Sequence, residues 1–357
     1  MNDTTINELY EDSLFLLKKL IQTPSLSRDE DNAANVIREF LAEKEIPFTQ
    51  LLNNTWCKNI YWDESKPVIL LNSHIDTVKP VDGWLSNPFE AKEEGDKLTG
   101  LGSNDAGGPL VSLLALFRYY YQKENLPFNL IYSATAEEEC SGTQGAELLV
   151  KQLERVDFAI VGEPTQMKLA IAEKGLIVLD CNVRGKAGHA ARNEGINSIY
   201  LALDEINKIR DFQFERKSPI LGEVKMTVTQ IEAGFQHNVV PDTCRFVVDV
   251  RTNELYSNDE VIDKITNHLS CEVNPRSRRL NSSGLETDHP FVKRAVELGV
   301  ECYGSPTMSD QSLMPYKSIK IGPGDSARSH TANEYILKSE IKAGIELYIK
   351  MLEGLVL

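Results

Sequence analysis

The chain has 357 residues, 41% hydrophobic and 25% charged, a balance that suits a globular protein with a large core and two domains. Its formal net charge of −15 argues against a nucleic-acid or anionic-membrane partner, because both call for basic surface. No apolar run approaches the roughly 18 residues of a transmembrane span, and the polar, acidic MNDTTINELYEDS is unlike a signal peptide.

Apolar residues recur at helical spacing over 5–21 and again over roughly 29–44. The run 67-PVILLNSHID-76 begins as a strand buried on both faces. Residues 107–122 read as a helix packed on a sheet. They are followed by a strand at 128–136, a helix over roughly 143–153 and a strand at 156–162. Repeated strand–helix–strand units predict a mostly parallel sheet with helices on both faces, an α/β/α layer. Near residue 175 the pattern changes. Segments 176–185, 222–234 and 243–252 alternate like strands with one solvated face, separated by helical stretches near 191–210 and 257–269. This βαββαβ order predicts an inserted ferredoxin-like α+β domain. The polar 275-PRSRRLNSSG-284 leads back to a helix near 289–301, a strand near 317–322 and a helix at 338–353. The expected division is 1–174 and 286–357 for the first domain and 175–285 for the insert.

In open α/β sheets, ligands bind at the carboxyl ends of strands. His74 and Asp76 end the first buried strand, Glu137, Glu138 and Glu139 end the second, and Glu163 ends the third. Asp105 follows the glycine-rich turn 100-GLGSND-105, and His330 lies in 322-GPGDSARSHTANEY-335. Taken singly, each is weak: a glutamate run is usually a solvated face, and a lone histidine is usually structural. GLGSND has an aspartate where a dinucleotide-binding turn needs its third glycine, and neither a GxSxG elbow nor an HExxH helix is present. Together, two histidines and several acids on the strand ends of one sheet form a nitrogen/oxygen ligand set suited to a pair of divalent metals. Metal charge would also hold adjacent carboxylates ionised. The cysteines Cys57, Cys140, Cys181, Cys244, Cys271 and Cys302 contain no CxxC pair and read as reduced thiols of a cytoplasmic protein.

The ordered set 74-HID-76, 100-GLGSND-105, 135-TAEEE-139, 162-GEPT-165, 185-GKAGHAARNEGINSI-199, 238-NVVPD-242, 249-DVR-251 and 322-GPG with His330 and 334-EY-335 resembles the co-catalytic zinc aminoacylase and carboxypeptidase family. The resemblance spans essentially the whole chain. It implies Asp105 as a carboxylate bridging two divalent ions, zinc by default, with cobalt or manganese also accepted. It implies His74 and Glu163 as ligands of one ion and Glu139 and His330 as ligands of the other. Asp76 would orient His74, Glu138 would be the general base, and a non-prolyl cis peptide would follow Asp105. In the insert, His189 would stabilise the oxyanion, while Asn238 and Arg251 would hold a substrate carboxylate. Lys174 stands where many members carry arginine, keeping the charge without the bidentate fork. Ser309 and Asp310 match a segment that either lines the pocket or only shapes a loop. Glu137 is expected to be solvated or to lie outside the ligand set, and His237, His268 and His289 to be structural.

The activity implied is metal-dependent removal of an N-acyl group from an amino acid. N-acetyl-L-ornithine or N-succinyl-L-ornithine in arginine biosynthesis is the first choice. Alternatives are succinyl-diaminopimelate desuccinylation and dipeptidase or carboxypeptidase activity. A non-catalytic binding protein is disfavoured because all five ligand positions and the base are filled. A succinyl group would need a further cation from Lys174, Arg192, Arg328 or the Arg276, Arg278, Arg279 cluster. The expected partners are a small N-acyl amino acid and a second copy of the chain, in a homodimer formed through the insert.

Overall fold

The computed structural model describes residues 5–357; residues 1–4, part of the polar amino-terminal stretch, lie outside them. In chain order the principal elements begin with α1 (Ile6–Ile21), α2 (Asp31–Glu43), β1 (Asn54–Lys58), β2 (Val68–His74), α3 (Gly108–Tyr120), β3 (Asn129–Thr135) and β4 (Phe158–Val161). Next come β5 (Gly175–Arg184), α4 (Ser198–Asp211), β6 (Lys225–Ala233), β7 (Thr243–Thr252), α5 (Asn258–His268) and β8 (Glu272–Pro275). The chain returns with β9 (Ser318–Lys320) and α6 (Lys338–Leu352). Two compact units result. One runs to Ile171 and resumes as Leu285–Tyr303 and Ser309–Leu357; the other comprises Ala172–Gly284 and Gly304–Met308. Among the described residues no helix is long and apolar enough to cross a membrane.

In the first unit, β2 pairs in parallel with β3 and β4, and β4 with β9, while β1 closes one side antiparallel to β3. Every residue of β2, β3 and β4 is buried, because helices cover both faces. α3 is apolar almost all round and packs against the sheet, with Phe117 6.0 Å from Tyr132 between ring centroids. Its flanks meet α1 and α6: Ser13 Oγ donates to the Val111 carbonyl at 3.3 Å, and Tyr120 Oη to the Ile349 carbonyl at 3.1 Å. On the opposite face, Leu70, Ile131 and Ala159 pack with Leu149 and Met314.

The second unit is a four-stranded antiparallel sheet of order β6–β7–β5–β8, the ferredoxin-like arrangement. Alternation along β5 and β7 turns Ile177, Leu179, Cys181, Val183, Phe246 and Val248 towards one core, which α4 and α5 cover with Ala202, Ile209, Val261 and Ile265.

Two expected helices are shorter than their periodicity. The stretch 143–153 keeps only Ala146–Val150, preceded by a turn so close that only glycine fits beside the Ala136 carbonyl at Gly145. The helix expected from about 191 starts at Ser198, where the Asn197 side chain accepts the Ile199 N–H at 2.9 Å and fixes the end.

Phe117 is fully buried between the sheet and its neighbouring helices. Phe117→Ala is expected to lower stability by about 3–5 kcal/mol in chemical denaturation, the cost of a large core cavity.

Candidate active site

Because β2, β3 and β4 run parallel, their carboxyl ends open on one edge of the sheet. His74 ends β2, the glutamate run follows β3, and Glu163 follows β4. Asp105 comes from the kinked turn Ser103–Gly107, where its own backbone and that of Ala106 are non-helical, and is joined to Ala106 by the expected cis peptide. His330 sits in the loop after β9 with a left-handed backbone, φ 58°.

The Nδ1 of His74 lies 2.9 Å from the Asp76 carbonyl oxygen and 3.5 Å from its Oδ1. A carbonyl only accepts, so Nδ1 carries a proton, and a neutral His74 presents its Nε2 lone pair to the other side. There Nε2 meets Asp105 Oδ1 at 3.3 Å and Glu163 Oε1 at 3.9 Å. The other oxygen of Asp105 faces His330 Nε2 at 3.6 Å, and the same nitrogen lies 2.9 Å from Glu139 Oε2. Asp105 therefore stands between the two histidines with one oxygen towards each. His74, Asp105 and Glu139 offer ligand atoms within 4.8 Å of one another.

The electrostatics show what this arrangement lacks. Burial disfavours a charged His74, yet hydrogen bonds to Asp105 and Asp76 and the charges of Glu138 and Glu163 raise its pKa well above the ordinary imidazole value. A hydrogen bond to Glu139 raises His330 to about 9. Burial raises the carboxyls of Glu138 and Glu163 well above their usual range, with neighbouring acids adding to it. Divalent cations at the same lone pairs would oppose the repulsion that raises these carboxyls. A converging set of two imidazoles and several carboxylates fits hard or borderline metal ions, and the buried Lys320 adds positive charge felt at Glu163.

The backbone of the glutamate run is gripped by other acids. Asp76 accepts the Glu138 N–H at 3.0 Å on Oδ1 and the Glu139 N–H at 3.1 Å on Oδ2, while Ser27 Oγ donates to Oδ2 at 2.7 Å. Glu30, 1% exposed, accepts the Glu137 N–H at 3.3 Å and the Asn53 amide at 2.9 Å. Glu137 is buried, in a left-handed conformation (φ 58°), and its own carboxylate accepts the Gln144 N–H at 3.0 Å. It shapes the turn, and the solvated alternative for it does not hold. Glu334 does the same for Asp105, accepting the Asn104 and Asp105 N–H groups at 2.8 and 2.9 Å; burial pushes its carboxyl up to about 7. Asp310 accepts from Asn72 at 2.8 Å and Thr135 at 2.9 Å beneath the site, and burial pushes it up to about 6. Ser309 caps its turn by accepting the Gln311 N–H.

Sequence reasoning missed Glu30, Glu334 as a clamp, and the depth of Asp310. Glu334 had a usable signal in the quoted 334-EY-335, whereas Glu30 had none, lying among ordinary helix-start acids.

Within the second unit, His189 lies in a short ribbon, Gly188–His189 paired with Val239–Val240, beside Asn238, whose carbonyl accepts the Ala190 N–H at 3.0 Å. His189 is exposed, and its Nδ1 accepts the Ala191 N–H at 3.1 Å, which leaves the ring's own N–H on Nε2. Arg251 makes a two-pronged contact with Asp249 at 2.8 and 3.0 Å. Lys174 donates to the Glu223 carbonyl at 2.8 Å, and burial together with the charges of Lys225 and Arg251 lowers its pKa. Lys174, Lys225 and Arg251 therefore form one cationic cluster, of which Lys225 was not anticipated. His289 caps the helix Pro290–Glu297 and stacks on Phe158 at 4.8 Å, a structural role as expected.

A metal-binding hydrolytic centre on a doubly covered parallel sheet, with an inserted ferredoxin-like unit, defines a class of hydrolases. Residues 70–354 match the Peptidase family M20/M25/M40, and the chain belongs to that family, as a metal-dependent hydrolase. Succinyl-diaminopimelate desuccinylase of Orientia tsutsugamushi (strain Boryong) is 23% identical over 90% of this chain and 84% of that protein. Acetylornithine deacetylase of Buchnera aphidicola subsp. Schizaphis graminum is 25% identical over 95% of this chain and 97% of that protein. A Bacillus subtilis structure described as a dinuclear metal-binding peptidase from the M20 family superposes with a TM-score of 0.73 at 16% identity, covering 98% and 99% of the two chains.

Glu139→Ala is expected to lose about half of the bound metal after saturation and gel filtration, measured by elemental analysis; full occupancy would remove Glu139 from the ligand set. Because His330 titrates at about 9 in the metal-free protein, it holds a proton at pH 7 that a cation must displace. Metal affinity is expected to rise with pH up to about 9, and calorimetry in buffers of different ionisation enthalpy should register proton release on binding.

Proposed function

We propose that the chain removes an N-acyl group from the α-nitrogen of an amino acid, with N-acetyl-L-ornithine as first choice and N-succinyl-L-ornithine as second, in arginine biosynthesis. The observation that carries the reading is Asp105 standing between His74 and His330, with Glu163 and Glu139 beside them. His74, Glu163 and Asp105 would hold one divalent ion, and Asp105, Glu139 and His330 a second, zinc by default and cobalt or manganese by the same donor chemistry. When bound, the ions supply Lewis acidity to the amide carbonyl and lower the pKa of water at the site.

The chain's own groups do the rest. Glu138 takes a proton from the attacking water and returns it to the departing amine nitrogen; its raised pKa suits both transfers. Asp76 keeps Glu138 aimed through the Glu138 N–H and fixes the His74 tautomer through its carbonyl. His189, with its N–H on Nε2, donates to the carbonyl oxygen as negative charge builds on it. Asn238, Arg251 and Lys174, joined by Lys225, hold the substrate carboxylate.

The acetyl preference rests on the remaining cations. Arg276 is engaged by Asp180, Arg278 by Asp259 and Arg328 by Glu340, much as Arg251 is by Asp249, so none of the three is a cation set aside for a succinyl carboxylate. Peptide cleavage is the second reading, favoured by the family's name and by the dinuclear peptidase neighbour. The proposal includes a homodimer formed through the second unit, supported by the open edge of β6 and by Tyr200 at 69% and Phe235 at 80% exposure on that unit. It also includes a cytoplasmic setting, in keeping with six cysteines that contain no CxxC pair.

Parallel assays with N-acetylornithine, N-succinylornithine, N-succinyl-diaminopimelate and dipeptides test the substrate: turnover is expected with the first, and a dipeptide-only profile would overturn the reading. Glu138→Gln is expected to keep full metal content while turnover falls about 100- to 10,000-fold, the range for losing a general base. Loss of metal in that variant would exchange the roles of Glu138 and Glu139.

A further inference from the structure

We propose that Cys181 and Cys271, far from the glutamate run in sequence and outside the hydrolytic chemistry, are an oxidation site: a dithiol that hydrogen peroxide closes to a disulfide. The strand register brings the two residues onto one face, diagonally across β5 and β8. Glu272 of β8 lies opposite Asn182 of β5, and Val273 opposite Cys181. Side chains alternate faces, so Cys271, immediately before β8, shares the face of Val273 and Cys181. Both residues pack against the core beneath α4 and α5, and the Cys181 thiol donates a hydrogen bond to the Cys271 sulfur.

The two differ in access, as an attacking and a resolving cysteine should. Cys271 is partly exposed, whereas Cys181 is 2% exposed. The turn that carries Cys271 is anchored to α4. Glu205 Oε2 accepts the Ser270 N–H at 2.8 Å, and Lys208 Nζ reaches Glu205 Oε1 at 2.7 Å and Ser270 Oγ at 2.9 Å. The hydrogen bond from Cys181 draws the Cys271 pKa down; burial and Glu205 oppose it and the Lys208 charge assists. Burial raises the thiols of Cys57, Cys140, Cys244 and Cys302, so Cys271 is the cysteine disposed to ionise.

The step balances with peroxide as oxidant. The Cys271 thiolate attacks one peroxide oxygen, the O–O bond breaks, and hydroxide leaves and takes up a proton, giving a sulfenic acid and water. Cys181 then loses its proton and attacks the Cys271 sulfur. The S–O bond breaks, hydroxide leaves as a second water, and an S–S bond forms. Two thiols are oxidised and one peroxide is reduced to two waters.

The test is peptide mapping of the full chain under non-reducing conditions after treatment with hydrogen peroxide. The expected product is a cross-linked Cys181–Cys271 peptide, lighter by two hydrogens and reversed by dithiothreitol. Cys181→Ser should lose the cross-link and leave Cys271 as a sulfenic acid that dimedone captures; Cys271→Ser should lose both signals. Reduced Cys181 and Cys271 at peroxide doses that oxidise exposed Cys140, or dimedone capture at Cys140 but not at Cys271 in Cys181→Ser, would overturn the proposal.

Discussion

Mutual repulsion among carboxylates is the constraint on which the rest of the first unit depends. Asp76, Asp105, Glu138, Glu139 and Glu163 converge at one sheet edge. Two like charges about 4 Å apart at a protein surface repel by about 4 kcal/mol at an effective dielectric of 20. Such a cluster persists only where positive charge faces it and where the backbone bearing it cannot relax away. The histidines His74 and His330 supply part of the first condition, and divalent cations held there would supply the remainder. Further acids meet the second: Asp76, Glu30 and Glu334 accept backbone N–H groups of the segments that carry Glu137, Glu138, Glu139 and Asp105.

That division gives the acids two kinds of work. Those facing inward to peptide N–H groups fix geometry, and those facing the open edge gather around the two histidines. Asp76 does both kinds of fixing at once, holding the His74 ring through its main chain and the glutamate turn through its side chain. The buried Asn72–Thr135–Asp310 network ties two adjacent strands to the 310–313 turn just beneath them. The second unit follows a different logic. Its sheet exposes one face, and its cations Lys174, Lys225 and Arg251 gather into one cluster.

Much of this was legible along the chain. The unbroken apolar runs of β2, β3 and β4 announce strands covered on both sides, and parallel strands deliver the residues after their carboxyl ends to one edge. Alternation in β5 and β7 likewise marks a sheet with one open face. Helix ends were less legible. Periodicity near 191 and 143 continued past points where Asn197 and the Gly145 turn mark the helix start, because periodicity records a face and not the local contact that ends it.

By itself the sequence determined the fold class and the family, and it singled out acids and histidines that meet at one sheet edge, since these come from local pattern and from motifs in a fixed order. It left the three glutamates of 135-TAEEE-139 distinguishable only through their register with the family motif. Tertiary structure decided their separate environments. Glu137 turns inward to a backbone N–H, Glu138 stays near His74 and Glu163, and Glu139 meets His330. It also decided the work of Glu30 and Glu334, which grip turns more than 100 and 200 residues away. Glu334 is marked along the chain only by its motif 334-EY-335 and Glu30 by nothing, because only folding brings the donor and the acceptor together.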